Sequence, residues 1–288
     1  MDRKRIFKFR YGNENDFDSL YEDYLWFSDF QSLNDPFEGY VQFDDRGIDD
    51  ELRLAFLTKL YSESPRPECS PEEEAMTYYR EYEKDRGTPF SEFVDSRAKE
   101  YFKKFHKEHR DSYFVLSLSR ARDSHQYPSP LNSMQMWSHY ANGFKGYCIE
   151  FDLDQLKESF NEKLGTKVGS APVTYPSDGG LPMVNLNTFM NDHINGRRDS
   201  SSEILKGFKT KEPSWSFESE IRLISSLRGK HYYDPACINA VYIAEKMPEW
   251  AKLNITSALN SKRADINVIE VKMHPSKYEL GYFPESNN

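Results

Sequence analysis

The order of the regular segments along the chain is the feature that most constrains the fold. Short stretches that alternate apolar and polar residues have the spacing of a half-buried strand, for example RIFKFR from Arg5 and VLSLS from Val115. Segments with helical spacing stand between them, but without the steady strand–helix–strand rhythm of a parallel sheet. The sequence therefore predicts an α+β fold rather than a doubly wound one.

One stretch, residues 49–110, differs from its surroundings. Its segments combine helical spacing with dense charge, and an acid-rich start at 71–74 and a basic end at 107–110 suit helix dipoles. We interpret this stretch as a helical insertion. A length of 288 residues allows one large domain or two small ones, and we predict a single domain over residues 1–288 that contains the insertion.

Composition narrows the class of protein. The net charge of -9 argues against attraction of the whole surface to nucleic acid, although it leaves a local basic groove open. The cysteines lack CxxC spacing, which argues against a disulfide framework or a Cys-based zinc site. No apolar run approaches the ~20 residues that span a bilayer, and the N-terminus lacks a signal-peptide pattern. We expect a cytoplasmic protein with reduced thiols and no membrane partner.

Common phosphate-loop, zincin and hydrolase-elbow motifs do not occur in the sequence, so candidate site residues come from weaker patterns. Arg10 lies on the polar side of the first strand, opposite Phe7 and Phe9. Its guanidinium can offer a fork to a phosphate group. A solvated or ion-paired arginine is the alternative interpretation.

Two serines share one face of a later strand. Ser117 and Ser119 point to one side, whereas Leu116 and Leu118 point to the other. Hydroxyl groups on a mostly apolar strand can orient groups of a ligand. The alternative is a strand at the edge of the sheet whose serines face water.

The segment MQMWSHYA has helical spacing, with Trp137 on its buried stripe. His139 and Tyr140 are candidates to line a cleft, and any of the three rings is a candidate stacking wall for a ligand. A lone helical histidine is also common as a structural residue. Because no second histidine has ligand spacing to His139, we expect no metal.

The segment WSFESEIRLI contains an unusual set of charges. Read as a strand, it places Glu218, Glu220 and Arg222 on one side. Like charges on neighbouring positions repel, so a chain keeps them for solvation, for an ion pair or for chemistry. A carboxylate beside an aromatic wall can act on a sugar ring. A surface ion-pair network is the alternative.

The segment SLNDPFEG predicts a turn. Asn34-Asp35-Pro36 forms a rigid turn in which the Asn or Asp side chain caps backbone amides. The functional alternative is that this turn lines the rim of a cleft.

Together these segments resemble a bacterial family of unknown function, DUF2971. Family members open with a Lys-Tyr-Arg-like strand, here FKFR, and continue with lyFS…FNDPFE, here LWFSDFQSLNDPFEG. An SLS strand, MWSHYA…KGYCIEFD and a K…W-YE-E-R stretch follow, here VLSLSR, MWSHYANGFKGYCIEFD and KEPSWSFESEIRLI. The resemblance covers nearly the whole chain. Gln31-Ser32-Leu33 departs from it, because the family has Phe before Asn-Asp-Pro.

A second resemblance is to the ADP-ribosyltransferases, whose Arg, Ser-x-Ser and Glu-x-Glu elements occur here in the same order. It implies a split, mainly antiparallel sheet around a cleft that takes NAD as a substrate. It implies that Glu220 stabilises an oxocarbenium-like cation and that Glu218 steers the acceptor. Arg10 would hold the pyrophosphate. Ser117 or Ser119 would brace the ribose–nicotinamide end.

The implied function is an NAD-dependent ADP-ribosyltransferase-like toxin or phage-defence effector, or an NAD glycohydrolase. The acceptor is an unknown protein or nucleic acid, and an antitoxin or regulatory protein is a candidate partner. Two other classes stay open. One is a non-catalytic binding or sensor protein of a defence or toxin–antitoxin module. The other is a nucleic-acid-processing hydrolase that uses Asn34, Asp35, Glu38, His139 and the two glutamates.

Overall fold

A computed structural model describes residues 4–84, 89–121, 129–165, 167–197, 201–262 and 266–284. The α-helices are α1 (Glu14–Tyr21), α2 (Asp50–Glu63), α3 (Pro71–Lys84), α4 (Phe90–Ser112), α5 (Met134–Tyr140), α6 (Leu153–Leu164), α7 (Leu186–Ile194), α8 (Ser202–Lys209) and α9 (Glu249–Asn260). The strands are β1 (Arg5–Arg10), β2 (Tyr24–Asp29), β3 (Gln42–Asp44), β4 (Phe114–Arg120), β5 (Tyr147–Asp152), β6 (Gly169–Pro172), β7 (Met183–Asn185), β8 (Glu220–Ser225), β9 (Gly229–Tyr232), β10 (Ile238–Ala244), β11 (Asn267–Met273) and β12 (Leu280–Pro284).

The chain divides into two compact units. The first contains Met1–Ser32, Tyr113–Val173 and Pro213–Asn288, and the second contains Leu33–Ser112 and Thr174–Glu212. Within residues 49–110 the chain forms α2, α3 and most of α4, all of which belong to the second unit. The second unit also takes in α7 and α8, a grouping that the local sequence did not indicate.

The first unit is built on a large, mostly antiparallel sheet with the strand order β12-β11-β10-β5-β1-β4-β2-β9. β8 pairs with β4, and β6 pairs with β8. The β10–β11 pair is parallel, whereas β1–β4, β1–β5 and β4–β8 are antiparallel. The predicted α+β fold with a mainly antiparallel sheet is therefore confirmed.

Pairing along β4 splits the sheet. β8 follows one edge of β4 from Phe114 to Ser119. The other edge is shared, because β1 pairs with it at Ser119 and Arg120 and β2 pairs with it at Phe114 and Val115. Among the described strands none pairs with residues 116–118 on this second edge. β1 and β2 thus diverge around the centre of β4.

The two faces of this sheet pack against different helices. On one face, which we call the α5 face, Phe7, Phe9 and Cys148 form a core with Met136 and Trp137 of α5. On the other face, which we call the α1 face, a larger core unites strand residues with residues of α1, α6 and α9, including Ile6, Leu116, Leu118, Ile149, Phe17, Leu156 and Ile255. The alternation predicted for β1 is confirmed for Phe7 and Phe9.

The second unit is mainly helical, with the short parallel pair β3–β7. Asp49 caps α2 by accepting a hydrogen bond from the backbone N–H of Leu52. Arg53 of α2 and Asp95 of α4 form a buried two-bond ion pair, with Nη2–Oδ2 at 2.8 Å and Nε–Oδ1 at 2.9 Å. His106 of α4 stacks on Phe208 of α8 with ring centroids 4.2 Å apart.

Two further findings concern the expectations from composition. Cys69, Cys148 and Cys237 are free thiols. Within the part of the chain that the structure describes, no helix has the length and apolar character needed to cross a membrane.

Candidate functional site

The Ser-x-Ser and Glu motifs meet on adjacent strands. In the β4–β8 ladder Ser119 lies opposite Glu220, and Ser117 lies opposite Arg222. Ser119 also pairs with Phe7, so this group lies on the α5 face. Ser117 Oγ donates a hydrogen bond of 2.6 Å to Glu220 Oε1. Ser119 is buried between β1 and β8, so the interpretation of this serine as a water-facing residue of an edge strand is wrong, whereas Ser117 is only partly buried.

Glu220 is held by an ion pair as well as by Ser117. Arg222 Nε lies 2.9 Å from Glu220 Oε1, and the two side chains are only 0% and 3% exposed. Arg222 Nη2 lies 3.4 Å from Oε2. The surface network considered from the sequence is therefore a buried pair. A carboxylate oriented in this way sits in a low-dielectric environment, where its effect on a developing positive charge is large.

Glu218 is not on the strand, contrary to the period-two prediction. Residues Pro213–Glu218 form a 3-10 turn, and β8 begins only at Glu220. Ser219 has φ of 46° in the left-handed region, which turns the chain between the two acids. The alternation therefore holds for Glu220 and Arg222 but fails for the residues before them.

The helix α5 brings one predicted residue to Glu218. The hydroxyl of Tyr140 donates a hydrogen bond to Glu218 Oε1. His139 is exposed, with its ring centroid 5.9 Å from that of Phe217. Trp137 is fully buried, and its Nε1 donates to Leu131 O at 2.8 Å. Trp137 is thus a core residue without a free ring face for a ligand, so its expected role as a stacking wall is not supported.

Arg10 does not join this group. It pairs with Tyr147 of β5, whose side chain belongs to the core of the α1 face. Strand alternation therefore places Arg10 on the face opposite Ser117 and Glu220. Its guanidinium Nη1 lies 3.2 Å from Asp16 Oδ1 in a largely buried pair. Arg10 is therefore an ion-paired arginine, as in the alternative interpretation of the sequence.

Another arginine of β1 lies on the α5 face. Arg5 precedes Phe7 by two positions, and Phe7 pairs with both Ser119 and Glu150. Arg5 donates from Nε at 2.9 Å and from Nη2 at 2.7 Å to the Glu150 carboxylate. Its side chain is 45% exposed. Arg5 is thus a preoriented, partly exposed cation on the same face as Ser119.

Sequence reasoning also missed Lys8, which pairs with Ile149 and therefore lies on the α1 face. Its Nζ donates to the backbone carbonyl of Ser117 at 2.9 Å. Burial, followed by the charge of Arg10, lowers the pKa of Lys8 to about 7, although Asp16, Glu220 and Glu218 act in the opposite direction. The sequence shows only that Lys8 stands between two phenylalanines. Its position in the fold follows from the split in the sheet.

The Asn-Asp-Pro turn holds another segment of the second unit by hydrogen bonds. Asp35 Oδ1 accepts the backbone N–H of Phe37 at 2.9 Å, which confirms the predicted capping turn. Asp35 Oδ2 also accepts the N–H of Glu212 at 3.2 Å. Asn34 Oδ1 accepts Lys211 Nζ at 2.9 Å. The motif thus holds the segment that precedes the 3-10 turn in sequence.

Side chains that bind metals do not cluster in the described residues. Among them, no group of three or more His, Cys, Asp and Glu side chains could hold a metal ion. Asp35, a candidate residue of the hydrolase alternative, accepts a hydrogen bond from a backbone amide with each of its carboxylate oxygens.

Comparison with known proteins gives one match. The family model described as protein of unknown function (DUF2971) matches residues 136–223, a stretch that includes α5 and most of β8. No curated protein and no solved structure matches the chain. The family prediction made from the motifs is confirmed. Residues 136–223 are thus similar to the DUF2971 family, in agreement with the motifs.

Proposed function

We propose that this chain is an ADP-ribosyltransferase-like enzyme that takes NAD at the α5 face of β4 and β8. The observation that carries the proposal is the 2.6 Å hydrogen bond from Ser117 to Glu220, on adjacent strands of a split sheet. This bond and Arg222 fix the carboxylate before any substrate arrives. A fixed carboxylate stabilises positive charge without having to reorganise.

The reaction proposed is cleavage of the bond between nicotinamide and ribose. The electron pair of that bond leaves with the nicotinamide nitrogen, and positive charge develops on the ribose as in glycoside hydrolysis. Glu220 stabilises this charge. The oxygen or nitrogen of an acceptor then bonds to the ribose carbon and loses its proton to Glu218, whose carboxylate is oriented by Tyr140.

The pyrophosphate contact is reassigned from Arg10 to Arg5. Arg5 shares the α5 face with Ser119, whereas Arg10 lies on the α1 face. Glu150 holds the Arg5 guanidinium through two hydrogen bonds and leaves part of it exposed. An arginine fork of this kind suits a phosphate oxygen pair. Arg5→Ala should weaken NAD binding by about tenfold or more, as for a charge-assisted hydrogen bond.

The cellular setting of the proposal rests on the sequence resemblance. It is a cytoplasmic toxin or phage-defence effector that modifies a protein or nucleic acid, restrained by an antitoxin or other regulatory protein. A non-catalytic binding protein is the second candidate, and the burial of the Glu220–Arg222 pair favours it, because such a pair also occurs as a purely structural element.

Labelled NAD separates the two candidates. The protein is incubated with NAD labelled in the nicotinamide or in the adenosine part, alone and with lysate fractions, and nicotinamide release and label transfer are measured. Glu220→Gln should retain NAD binding and lose release by about a hundredfold, which corresponds to roughly 3 kcal/mol from one preorganised group. Glu22→Gln, in an exposed pair with Lys230, is the control. Wild-type protein that neither binds NAD nor releases nicotinamide would remove the enzyme proposal.

A further inference from the structure

On one edge of β4, residues 116–118 form a gap, because no described strand pairs with them there. This gap leaves the backbone carbonyl of one residue pointing toward an open edge of the sheet. The N–H of Ala121 donates to Arg5 O of β1 at 3.2 Å, so the backbone groups of every second residue before it face the same edge. Ser117 is one of these residues. Its carbonyl therefore points into the stretch where β1 has already diverged from β4. A backbone acceptor buried without a partner would be costly.

Lys8 supplies the donor that a paired strand would otherwise provide. It lies on β1 next to Phe7, the last residue of β1 that pairs with β4. From there its side chain reaches back into the gap and donates from Nζ to Ser117 O at 2.9 Å. The same serine donates from Oγ to Glu220. Ser117 thus accepts a hydrogen bond from Lys8 with its backbone carbonyl and donates one to Glu220 with its hydroxyl.

The charges that act on Lys8 come from four elements: β1, α1, the 3-10 turn and β8. Arg10 is on the same strand, Asp16 is on α1, and Glu218 and Glu220 flank the turn before β8. Each of these charges acts on the Lys8 ammonium in the structure. An amine donates a hydrogen bond whether or not it carries the extra proton, so the bond to Ser117 survives deprotonation. The positive charge of Lys8, which acts on the two glutamates, is lost on deprotonation.

We propose that Lys8 is a positioning residue of the Glu218–Glu220 site, because it fixes the backbone of Ser117, whose hydroxyl holds Glu220, and because its charge acts on both carboxylates. Its effect on β4 is independent of any activity. Its effect on catalysis rests on the proposed function. The two effects are measured separately, so that failure of one can be told from failure of the other.

The first experiment needs no substrate. Hydrogen exchange is followed by mass spectrometry over β4 in the wild type, Lys8→Met, Lys8→Arg and Lys4→Met. Lys4 belongs to the same N-terminal segment but is in an exposed pair with Asp154. Lys8→Met should raise local exchange over β4 by about tenfold through loss of a buried hydrogen bond. Lys8→Arg should restore protection, and Lys4→Met should match the wild type. Equal protection in Lys8→Met and the wild type would overturn the proposal.

The second experiment follows pH. Nicotinamide release is measured from pH 5.5 to 9, together with the side-chain resonances of labelled lysine, in which the Lys8 signals are those missing from Lys8→Arg. The wild type should show an inflection that coincides with the Lys8 titration, and Lys8→Arg should lose it, because arginine stays charged. An inflection that persists in Lys8→Arg would overturn the charge role. If no variant releases nicotinamide, the enzyme proposal fails, and the exchange data alone decide the role of Lys8.

Discussion

Asn34 Oδ1 accepts a hydrogen bond of 2.9 Å from the ammonium of Lys211, across 177 positions of sequence. Both residues belong to the second unit, and Lys211 is buried. The turn motif and the charged segment before the 3-10 turn are therefore parts of one local structure. The hydrogen bond gives the Asn-Asp-Pro turn a structural role within the second unit.

Asn34→Ala should lower stability and leave NAD affinity unchanged. The substitution takes an acceptor away from a buried ammonium, which costs about 1–3 kcal/mol of unfolding free energy. Urea denaturation and NAD titration measure the two quantities. Asn187→Ala, which removes an exposed hydrogen bond to Gly47 O in the same unit, is the control and should cost less. Reduced NAD affinity at unchanged stability would instead place the turn at the rim of a cleft.

Glu220→Gln should cost far more stability than a surface variant of the same kind. Removing one charge of a buried ion pair leaves the other charge buried, at a cost of about 3 kcal/mol. Glu22→Gln removes a partner from an exposed pair and should cost at most about 1 kcal/mol. Urea unfolding curves of both variants at pH 7 test the difference. Equal losses would contradict the burial of the Glu220–Arg222 pair.

His106 should make the protein sensitive to acid. Burial, with Arg110 and His109 as lesser causes, lowers the pKa of His106 from 6.5 to about 4. Between these values the unfolded chain binds a proton that the folded chain does not, so stability falls as the pH drops from 6.5 toward 4. The contribution is at most about 1.4 kcal/mol per pH unit.

The matched variants are His106→Leu and His274→Leu, since His274 is exposed. His106→Leu should flatten the pH dependence of the unfolding midpoint over this range, whereas His274→Leu should keep it. An unchanged slope in His106→Leu would show that other groups control the acid limit.

Gly146→Ala should be among the most damaging single substitutions. An added Cβ would lie 2.1 Å from the backbone O of Arg10 and 2.9 Å from Cα of Ala141. Both neighbours are backbone atoms and cannot rotate away, so we expect a loss of at least about 3 kcal/mol or no soluble protein. Gly165→Ala is the comparison: its φ is 64° and nothing lies within 4 Å, so only about 1–2 kcal/mol of backbone strain is added. Similar unfolding free energies for the two variants would refute the close approach.

Local patterns predicted the parts of the site that depend on alternation alone. Phe7 and Phe9 pack on one face of β1, and Ser117 and Ser119 share a face of β4, because side-chain direction in a strand follows from sequence spacing. The same rule failed at Glu218. The left-handed backbone of Ser219 breaks the alternation, and the residue types of that segment do not indicate this conformation.

Contacts between residues far apart in the sequence could not be predicted from local sequence patterns. Whether Arg10 lies on the same face of the sheet as Glu220 depends on the register of three strands, and register is set by tertiary packing. The position of Lys8 depends on where β1 leaves β4, and the position of Lys211 on a turn far away in sequence. These are properties of the assembled sheet rather than of any segment.

The pairing of β4 with β8 also affects biosynthesis. Ser117 and Glu220 stand 103 positions apart, so β4 leaves the ribosome long before its partner strand has been made. Until then, an apolar strand that belongs in the interior of the sheet has an open edge, the kind of surface that pairs with other chains. Fragments that end before Glu220 should need chaperones to stay in solution. The β4–β8 ladder should form only after translation has passed Ser225, and folding of the first unit should complete only after β12, which ends at Pro284, has been made.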